Sequence, residues 1–392
     1  MKITFIVYNI FGLGGTVRTV MNTANFFAGQ GHDVEIVSIK RTSNTPLFKP
    51  DKNIKITPLY DSRKGKFLHP NAPLYKKIVK RILTKIPSKV IHKDEDLYDL
   101  FSLQTDIKLI QKLKNIKSGV LITTIPSFNI LSAKYVNKNV IKIGQEHKEF
   151  EAHSKELQES IKKSYAELDV LTCLTDVAKK RYNDIFRDSL DVVKIENATP
   201  EYKEKSSLKE KWVITAGRLV PEKGYDRLIK IFEDVVKKHP NWKLKIFGDG
   251  KEKEKLQDLI IEKNLYNNVF LMGRTDNILE ELQHASIHVV SSFVESFGMV
   301  IIEAMSVGVP TVSFTCEGPV EILSDNYDGF LIEQGNLKKF SESINQLIED
   351  ENLRKIMSKN IVSTIQKYSI ESIGSKWEEI IEKKKKEKMK NS

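Results

Sequence analysis

Residues 287–310, "IHVVSSFVESFGMVIIEAMSVGVP", combine the features of a buried strand, a loop and a short helix. The β-branched run "IHVVSS" favours a strand, and "FVESFG" has the composition of a loop. The segment "MVIIEAMSVG" has a helical apolar period that ends at Gly308, before Pro310. A strand followed directly by a helix is the repeating unit of parallel sheets, so this stretch indicates an α/β fold. It also carries two carboxylates, Glu295 and Glu303, beside an apolar core.

The same alternation of β-branched runs and helix-period segments continues along most of the 392 residues. Strand candidates are 3–8, 34–39, 54–59, 120–125, 140–145, 170–175 and 191–197, and then 211–219, 242–250, 268–273, 287–292, 310–314 and 328–333. A polar stretch with Pro200 separates the two series. We therefore expect two doubly wound domains, 1–198 and 199–370, followed by a helix with a basic tail, 371–392. That helix either caps the second domain or crosses back to the first.

The composition is that of a folded globular protein, with 40% hydrophobic and 29% charged residues. Cys173 and Cys316 lie far apart in apolar runs, which suits reduced, buried thiols better than a disulfide or a zinc site. The N-terminal "MKITFIVYNIFGLGG" resembles a first strand more than a leader peptide, and no apolar run is long enough to span a membrane. We expect a soluble cytoplasmic protein, or one at the inner face of the cytoplasmic membrane.

The net charge of +11 is unevenly distributed, because ten Lys or Arg and no acidic residue lie between Ser62 and Lys93. Within this region "PLYKKIVKRILTKIP" (73–87) predicts a helix with an apolar stripe flanked by cations. Three interpretations stay open for 73–87: a contact with an anionic membrane, a contact with a polyanionic acceptor, or a packed helix with a solvated basic face. Nucleic acid is not an expected partner, since the sequence has no recognisable nucleic-acid-binding module.

The first strand is followed by a glycine-rich segment with Gly12, Gly14 and Gly15 before a helix. Such a loop and helix start can approach an anionic ligand closely, and Arg18 one turn later is consistent with this. The segment lacks the third glycine of the dinucleotide fingerprint, and Lys40 stands where the second strand would end in an acidic residue. An ordinary tight turn is the alternative.

The second series of strands begins with a similar junction, "ITAGRLVPEKGYDRLIKIF" (214–232). Gly217 and Arg218 end the strand, and Lys223 and Gly224 start the next helix. Two cations and a helix start suit one diphosphate, although single cations at element ends are common on any surface.

Glu303 lies in a helix among apolar residues, where a carboxylate is costly unless it is paired or bound to a ligand. The two hydroxyls of a ribose would suit its two oxygens. Glu295 lies in the loop beside the N–H groups of Ser296, Phe297 and Gly298, a setting suited to a sugar and a phosphate.

Four motifs together give the chain a family resemblance: "GLGGTVR" (12–18), "AGRLVPEKG" (216–224), "ESFGMVIIEAM" (295–305) and "DGFLIE" (328–333). Through them nearly the whole chain resembles retaining glycosyltransferases of the GT-B fold, glycosyltransferase family 4. The resemblance implies two Rossmann-like domains facing a central cleft. It also implies a metal-independent hexosyltransferase without a cofactor.

By this resemblance Arg218 and Lys223 bind the donor diphosphate, Glu303 the ribose and Glu295 the transferred sugar. His147, in "IGQEHKEFEAH" (143–153), is expected near that sugar because it follows a strand. His147, Arg218, Lys223 and Glu295 are the candidate catalytic residues. The other donor-binding positions that the resemblance implies are Gly14, Gly15, Gly217, Gly273, Arg274, Ser296, Phe297 and Gly298. His153 is expected to be an exposed helix position.

We expect transfer of a sugar from a nucleotide donor, a UDP-sugar, to a hydroxyl of a surface glycan such as teichoic acid. The family is described as using front-face attack, with the leaving phosphate as base. A catalytically inactive sugar-nucleotide or polyanion-binding protein is the alternative. The sequence Asp94-Glu95-Asp96 has the DxD spacing of metal-dependent glycosyltransferases, but no apolar strand precedes it, so an acidic helix start is the better interpretation.

Overall fold

In a computed structural model, which describes residues 1–63 and 74–390, the chain forms two compact units. The first unit comprises Met1–Glu196 with Ile373–Ser392, and the second comprises Asn197–Ser372. The domain boundaries expected from the sequence, after residues 198 and 370, lie close to these. The C-terminal helix crosses back to the first unit.

The first unit is built on a parallel seven-stranded sheet in the order β3-β2-β1-β4-β5-β6-β7. Its strands are β1 (Lys2–Val7), β2 (Asp33–Arg41), β3 (Lys55–Asp61), β4 (Val120–Thr123), β5 (Ile141–Gln145), β6 (Val170–Cys173) and β7 (Asp191–Lys194). Its helices are α1 (Gly15–Gly29), α2 (Leu74–Lys85), α3 (Leu103–Asn115), α4 (Pro126–Tyr135), α5 (Lys155–Ser164) and α6 (Asp176–Phe186). Strand β1 is buried along its length after Lys2, which explains its continuous apolar run.

The second unit has a parallel six-stranded sheet in the order β10-β9-β8-β11-β12-β13. Its strands are β8 (Trp212–Ala216), β9 (Lys243–Phe247), β10 (Val269–Gly273), β11 (Ile287–Val290), β12 (Thr311–Phe314) and β13 (Gly329–Ile332). Its helices are α7 (Tyr225–Lys238), α8 (Lys253–Glu262), α9 (Ile278–Gln283), α10 (Met299–Ser306), α11 (Glu317–Ile322), α12 (Leu337–Glu349) and α13 (Glu351–Ile365).

Both sheets are doubly wound, and every predicted strand segment overlaps a strand of the structure. The strand order reverses between β1 and β4 in the first unit and between β8 and β11 in the second. Loops diverge at such a switch point and leave a crevice beyond the carboxyl ends of the strands. The α/β fold with two Rossmann-like domains is confirmed.

The last helix, α14 (Ile370–Lys390), is bound to the first unit by packing and by charge. A Cβ atom at Gly374 would lie 2.3 Å from Cζ of Phe26, so only glycine allows this approach. Further along, Lys383 pairs with Asp191 at 2.9 Å and Lys388 pairs with Asp169 at 2.8 Å. Part of the basic tail therefore anchors the helix to the edge of the first sheet.

In the described parts of the chain, no helix is both long and apolar enough to cross a membrane. Cys173 is buried, Cys316 is half-buried, and neither forms a disulfide.

Candidate active site

The switch point of the second sheet brings together two loops, one after β8 and one after β11. Because β8 and β11 are hydrogen-bonded neighbours, their carboxyl ends lie side by side. The loops and the elements beside them line a small cavity. The lining residues are Thr215, Ala216, Lys223, Tyr225, Val290, Ser291, Ser292, Glu295 and Val300.

Two of the predicted residues, Lys223 and Glu295, form an ion pair on the wall of this cavity. Their side chains are only 21% and 15% exposed. The hydroxyl of Ser292 lies 3.5 Å from the same carboxylate and donates to it. The predicted diphosphate cation and the predicted sugar carboxylate thus neutralise each other within one partly buried site.

The two loops are fixed to each other by backbone contacts as well. Ser291 donates from its hydroxyl to the carbonyl of Lys223 at 2.8 Å, and the N–H of Phe293 donates to the carbonyl of Glu222 at 2.8 Å. Gly224 has a φ of 61°, and a Cβ there would lie 2.4 Å from the carbonyl oxygen of Ser291. Glycine is therefore required at 224 for both its conformation and its close approach.

Gly217 and Arg218 lie just beyond the end of β8. A Cβ atom at Gly217 would lie 2.6 Å from the hydroxyl of Tyr225, so glycine leaves room for this tyrosine. Tyr225 was not selected from the sequence, although it follows the Lys-Gly pair directly. Burial raises its pKa, so the hydroxyl stays neutral. Arg218 is exposed on the loop.

Helix α10 begins at the other side of the cavity, with Gly298 at its N-cap in a left-handed conformation (φ 102°). Glu303 in this helix is buried, with 5% of its surface exposed. Ser296 is half-buried, whereas the ring of Phe297 is buried and packs edge-on against Tyr368 at 6.0 Å. The side chain of Phe297 is thus a core anchor.

The end of β10 supplies Gly273 and Arg274, two of the donor-binding positions that the resemblance implies. Gly273 has a φ of 75° and has open space where a side chain would lie. Arg274 is 69% exposed at its side chain and pairs with Asp249 at 3.2 Å. The carbonyl of Gly273 accepts from the N–H of Gly248 at 2.7 Å, which holds this end of β10 beside the end of β9.

The remaining candidates belong to the first unit. Gly14 precedes α1 with a φ of 151° and has open space around its Cα, and Gly15 is the first residue of that helix. His147 follows β5 by two residues. Its Nε2 is shielded and has no hydrogen-bond partner among the described residues. Burial lowers the pKa of His147 to about 4, so the ring is neutral near pH 7.

The expectation that His153 is an exposed helix position is wrong. It is 8% exposed and lies 3.5 Å from the buried carboxylate of Glu146. The same carboxylate accepts from Asn129 at 3.1 Å and from the hydroxyl of Tyr165. This buried polar network fixes the chain immediately before His147.

The acidic triplet 94–96 does not start a helix, and each of its carboxylates has a protein partner. Asp94 accepts from the hydroxyl of Ser154 at 2.7 Å, and Asp96 pairs with Lys148 at 2.9 Å. Glu95 is buried and accepts from the N–H at position 127 at 2.9 Å. Within residues 1–63 and 74–390, no group of three or more His, Cys, Asp or Glu could hold a metal ion.

Comparison with known proteins agrees with this architecture. Residues 198–363, almost all of the second unit, match the family "Glycosyl transferases group 1". An exopolysaccharide phosphotransferase of Streptomyces coelicolor is 31% identical over 387 residues, covering 97% of this chain and 40% of the relative. A poly(ribitol-phosphate) alpha-N-acetylglucosaminyltransferase of Staphylococcus aureus is 38% identical over 187 residues, covering 47% of this chain and 37% of the relative. The chain thus spans less than half the length of these two relatives.

A crystal structure of a TarM mutant from S. aureus, in complex with fondaparinux, alpha-GlcNAc-glycerol and UDP, superimposes with a TM-score of 0.76. The match covers 97% of this chain and 99% of that one at 22% sequence identity. Residues 198–363 therefore resemble the glycosyl transferases group 1 family, and the fold of the chain is that of GT-B glycosyltransferases. The chain is related to teichoic-acid and exopolysaccharide glycosyltransferases.

Proposed function

We propose that this chain is a retaining glycosyltransferase that moves a sugar from a UDP-sugar to a hydroxyl of a polyanionic surface glycan. The observation that carries the proposal is the pairing of Lys223 with Glu295 at the switch point of the second sheet. A cation and a carboxylate in one cavity offer a phosphate contact and a sugar contact within reach of a single ligand. The buried Glu303 on the next helix adds a second carboxylate for the ribose.

In the proposed reaction the bond between the sugar anomeric carbon and the donor phosphate oxygen breaks, and the acceptor oxygen bonds to that carbon on the same face. The acceptor proton passes to the leaving phosphate oxygen. Negative charge develops on the diphosphate, so Lys223 and Arg218 contribute by stabilising it. The carboxylate of Glu295 is paired with Lys223, which favours a role in holding the sugar over one as a nucleophile. No metal ion or organic cofactor takes part in this scheme.

Two relatives support the choice of donor and acceptor. The TarM structure contains UDP, which motivates a uridine nucleotide donor. The S. aureus relative is named for transfer to poly(ribitol-phosphate), a polymer with a charge on every repeat. A net charge of +11 on this chain suits a polyanion of that type.

Slow donor hydrolysis tests the proposal without knowledge of the acceptor. The purified chain is incubated with UDP-glucose, UDP-galactose, UDP-N-acetylglucosamine and GDP-mannose, and free nucleotide is measured over time. We expect nucleotide release from one UDP-sugar, reduced in a Glu303→Gln variant. If no donor is hydrolysed while UDP still binds, the chain is a nucleotide-binding protein and the enzymatic proposal fails.

We further propose that α2 places the enzyme against the anionic inner face of the cytoplasmic membrane. Four apolar residues of this helix are at least half exposed: Tyr75 (62%), Ile78 (50%), Val79 (50%) and Ile82 (54%). A packed helix with a solvated basic face would bury these residues, so their exposure favours a contact at the surface. Residue 73, in the segment 73–87, lies outside the described residues.

Two polar residues of α2, Thr84 and Lys80, contact other elements of the first unit. Thr84 donates from its hydroxyl to the side chain of Gln104 on α3 at 2.7 Å. Lys80 lies over the ring of Tyr60, with 5.7 Å from Nζ to the ring centroid. The exposed cations Arg81 and Lys85 accompany the outward apolar face. An apolar face flanked by cations suits an anionic lipid surface, where each such cation contributes about 1 kcal/mol.

A further inference from the structure

Arg227, on the third position of α7, is a buried arginine directly behind the cavity. It is 5% exposed. Its guanidinium lies between two aromatic rings, 3.7 Å from the ring centroid of Phe293 and 4.0 Å from that of Phe314. Phe314 ends β12, whereas Phe293 belongs to the loop after β11. The planar group thus connects a rigid strand to a loop of the proposed donor site.

The hydrogen bonds of Arg227 go to the same loop. Its Nε donates to the carbonyl of Ser291 at 2.7 Å, and its Nη2 donates to the carbonyl of Ser292 at 2.7 Å. Its Nη1 donates to the side-chain oxygen of Gln334 at 2.9 Å. Every one of these acceptors is neutral, and for the described residues no ion pair of Arg227 is found.

Gln334, two residues after the edge strand β13, bonds the same loop. Its side-chain amide donates to the carbonyl of Ser292 at 3.1 Å and to the carbonyl of Thr315 at 3.0 Å. The carbonyl of Ser292 therefore accepts from three side chains, those of Arg227, Gln334 and Cys316, the last at 3.2 Å. Glu295 follows only three residues later, so the start of the loop that carries it is fixed in direction.

We propose that Arg227 is a positioning residue, whose guanidinium sets the course of the loop 291–295 and thereby the place of Glu295 against Lys223. The inference rests on the proposed function of this site, because the position of Glu295 matters only if it holds a sugar. A lysine at 227 would keep the charge but not the planar fork that bonds two consecutive carbonyls. Misplacement of a substrate-orienting group by about 1 Å costs on the order of 100-fold in rate.

The same unit supplies a matched control, since Arg354 on α13 is equally buried at 4%. Its Nε and Nη2 donate to the carbonyl of Leu208 at 3.3 and 3.1 Å, and its guanidinium lies 5.7 Å from the ring centroid of Trp242. It therefore resembles Arg227 in burial, acceptors and aromatic contact but does not bond the loop 291–295.

The experiment compares the wild type with Arg227→Lys, Arg227→Met and Arg354→Met. Amide hydrogen exchange is followed for peptides covering 291–298, and UDP-N-acetylglucosamine and UDP-glucose hydrolysis gives kcat and KM. For Arg227→Met we expect about 10-fold faster exchange in this loop and about a 10- to 100-fold loss of kcat. Arg227→Lys should be intermediate, and Arg354→Met should lower thermal stability while changing neither quantity by more than about 3-fold.

The inference is overturned if loop exchange in Arg227→Met equals that of the wild type, or if Arg354→Met speeds it equally. A common kcat loss for both methionine variants, at equal folded fraction, also overturns it. If Arg227→Met fails to fold, Arg227→Lys decides through the same two readouts. Absence of turnover in the wild type would instead sink the proposed function, and the exchange experiment would still determine whether Arg227 fixes the loop.

Discussion

Replacing Lys223 by Ala separates a donor-binding role of the Lys223–Glu295 pair from a purely structural one. Without the lysine, the developing charge on the diphosphate loses a cation, which we expect to cost about 2–4 kcal/mol of transition-state stabilisation. That corresponds to a rate loss of roughly 30- to 1000-fold. The variant should also be less stable, because Glu295, whose side chain is only 15% exposed, would lack its cation. The expected loss of unfolding free energy is about 1–3 kcal/mol.

A double variant, Lys223→Ala with Glu295→Gln, distinguishes the two effects. It leaves no charge unpaired, so stability should return toward that of the wild type. Turnover should not return, because both ligand contacts are then missing. Lys237→Ala is a suitable control, since Lys237 lies on α7 and its ion-pair partners among the described residues are exposed or half-exposed carboxylates. It should change neither turnover nor stability measurably.

The assays are UDP-sugar hydrolysis and urea unfolding followed by tryptophan fluorescence, for the wild type and all four variants including Glu295→Gln alone. The reasoning is refuted if Lys223→Ala turns over within about 3-fold of the wild type. It is equally refuted if the double variant regains both stability and turnover. In either case the pair would hold the two loops together and would not contact the donor.

Three further predictions follow from the same structure. Glu303→Gln should weaken UDP binding by about 10-fold or more in calorimetry, because the ribose contact is present with UDP alone. Glu295→Gln should leave UDP binding unchanged and lower sugar transfer. Equal losses of UDP binding in the two variants would mean that one carboxylate is misplaced. Burial lowers the pKa of His288 to about 3, whereas an unfolded histidine has a pKa of about 6.5. As the pH falls, His288 is therefore protonated in the unfolded chain before it is protonated in the folded one. Between pH 6.5 and 4.5 the unfolding free energy should therefore drop by about 1.4 kcal/mol per pH unit more in the wild type than in His288→Asn, and equal slopes in urea titrations would contradict this. Sedimentation with vesicles containing anionic lipid should show binding that weakens as salt is added. The double variant Ile78→Ser with Ile82→Ser should lose this binding, and Arg81→Gln should weaken it. Retained binding in the double variant would exclude α2 as the membrane contact.

The strands could be predicted from the sequence because both faces of a parallel sheet are buried. Each strand therefore appears as a continuous apolar run, as in β1 and β11, and needs no knowledge of its neighbours. The topology then places every loop after a strand at one edge of the sheet. That Lys223 and Glu295 pair with each other was not predictable in this way. The pairing depends on β8 and β11 being adjacent in the sheet, although they are far apart in sequence.

Other features were missed because their sequence signal has more than one physical interpretation. Arg227 and Tyr225 occupy ordinary positions in an amphipathic helix, and nothing local shows that one meets two loop carbonyls and the other lines a cavity. For α2 the helical spacing of apolar residues was evident. Such spacing predicts an apolar face of the helix but does not tell whether that face points to the core or to solvent. His153 lies buried beside the carboxylate of Glu146. The tertiary structure brings these two side chains together, and their spacing in the sequence did not indicate it.

The charge arrangement around the cavity suggests a division of tasks among its cations. The charge of Lys223 is cancelled by Glu295, and that of Arg274 is balanced by Asp249. Arg218 is exposed and Arg227 is buried, and neither has an ion pair with any residue that the structure describes. Because Arg218 is exposed on the loop after β8, we expect it to attract an anionic donor over a distance. In the proposed function, Lys223 exchanges its carboxylate partner for a phosphate of the donor, and this exchange frees Glu295 for a sugar hydroxyl. Binding of the diphosphate by Lys223 and binding of the sugar by Glu295 are thus coupled. We therefore expect the binding free energy of a nucleotide sugar to exceed the summed binding free energies of the nucleotide and the free sugar.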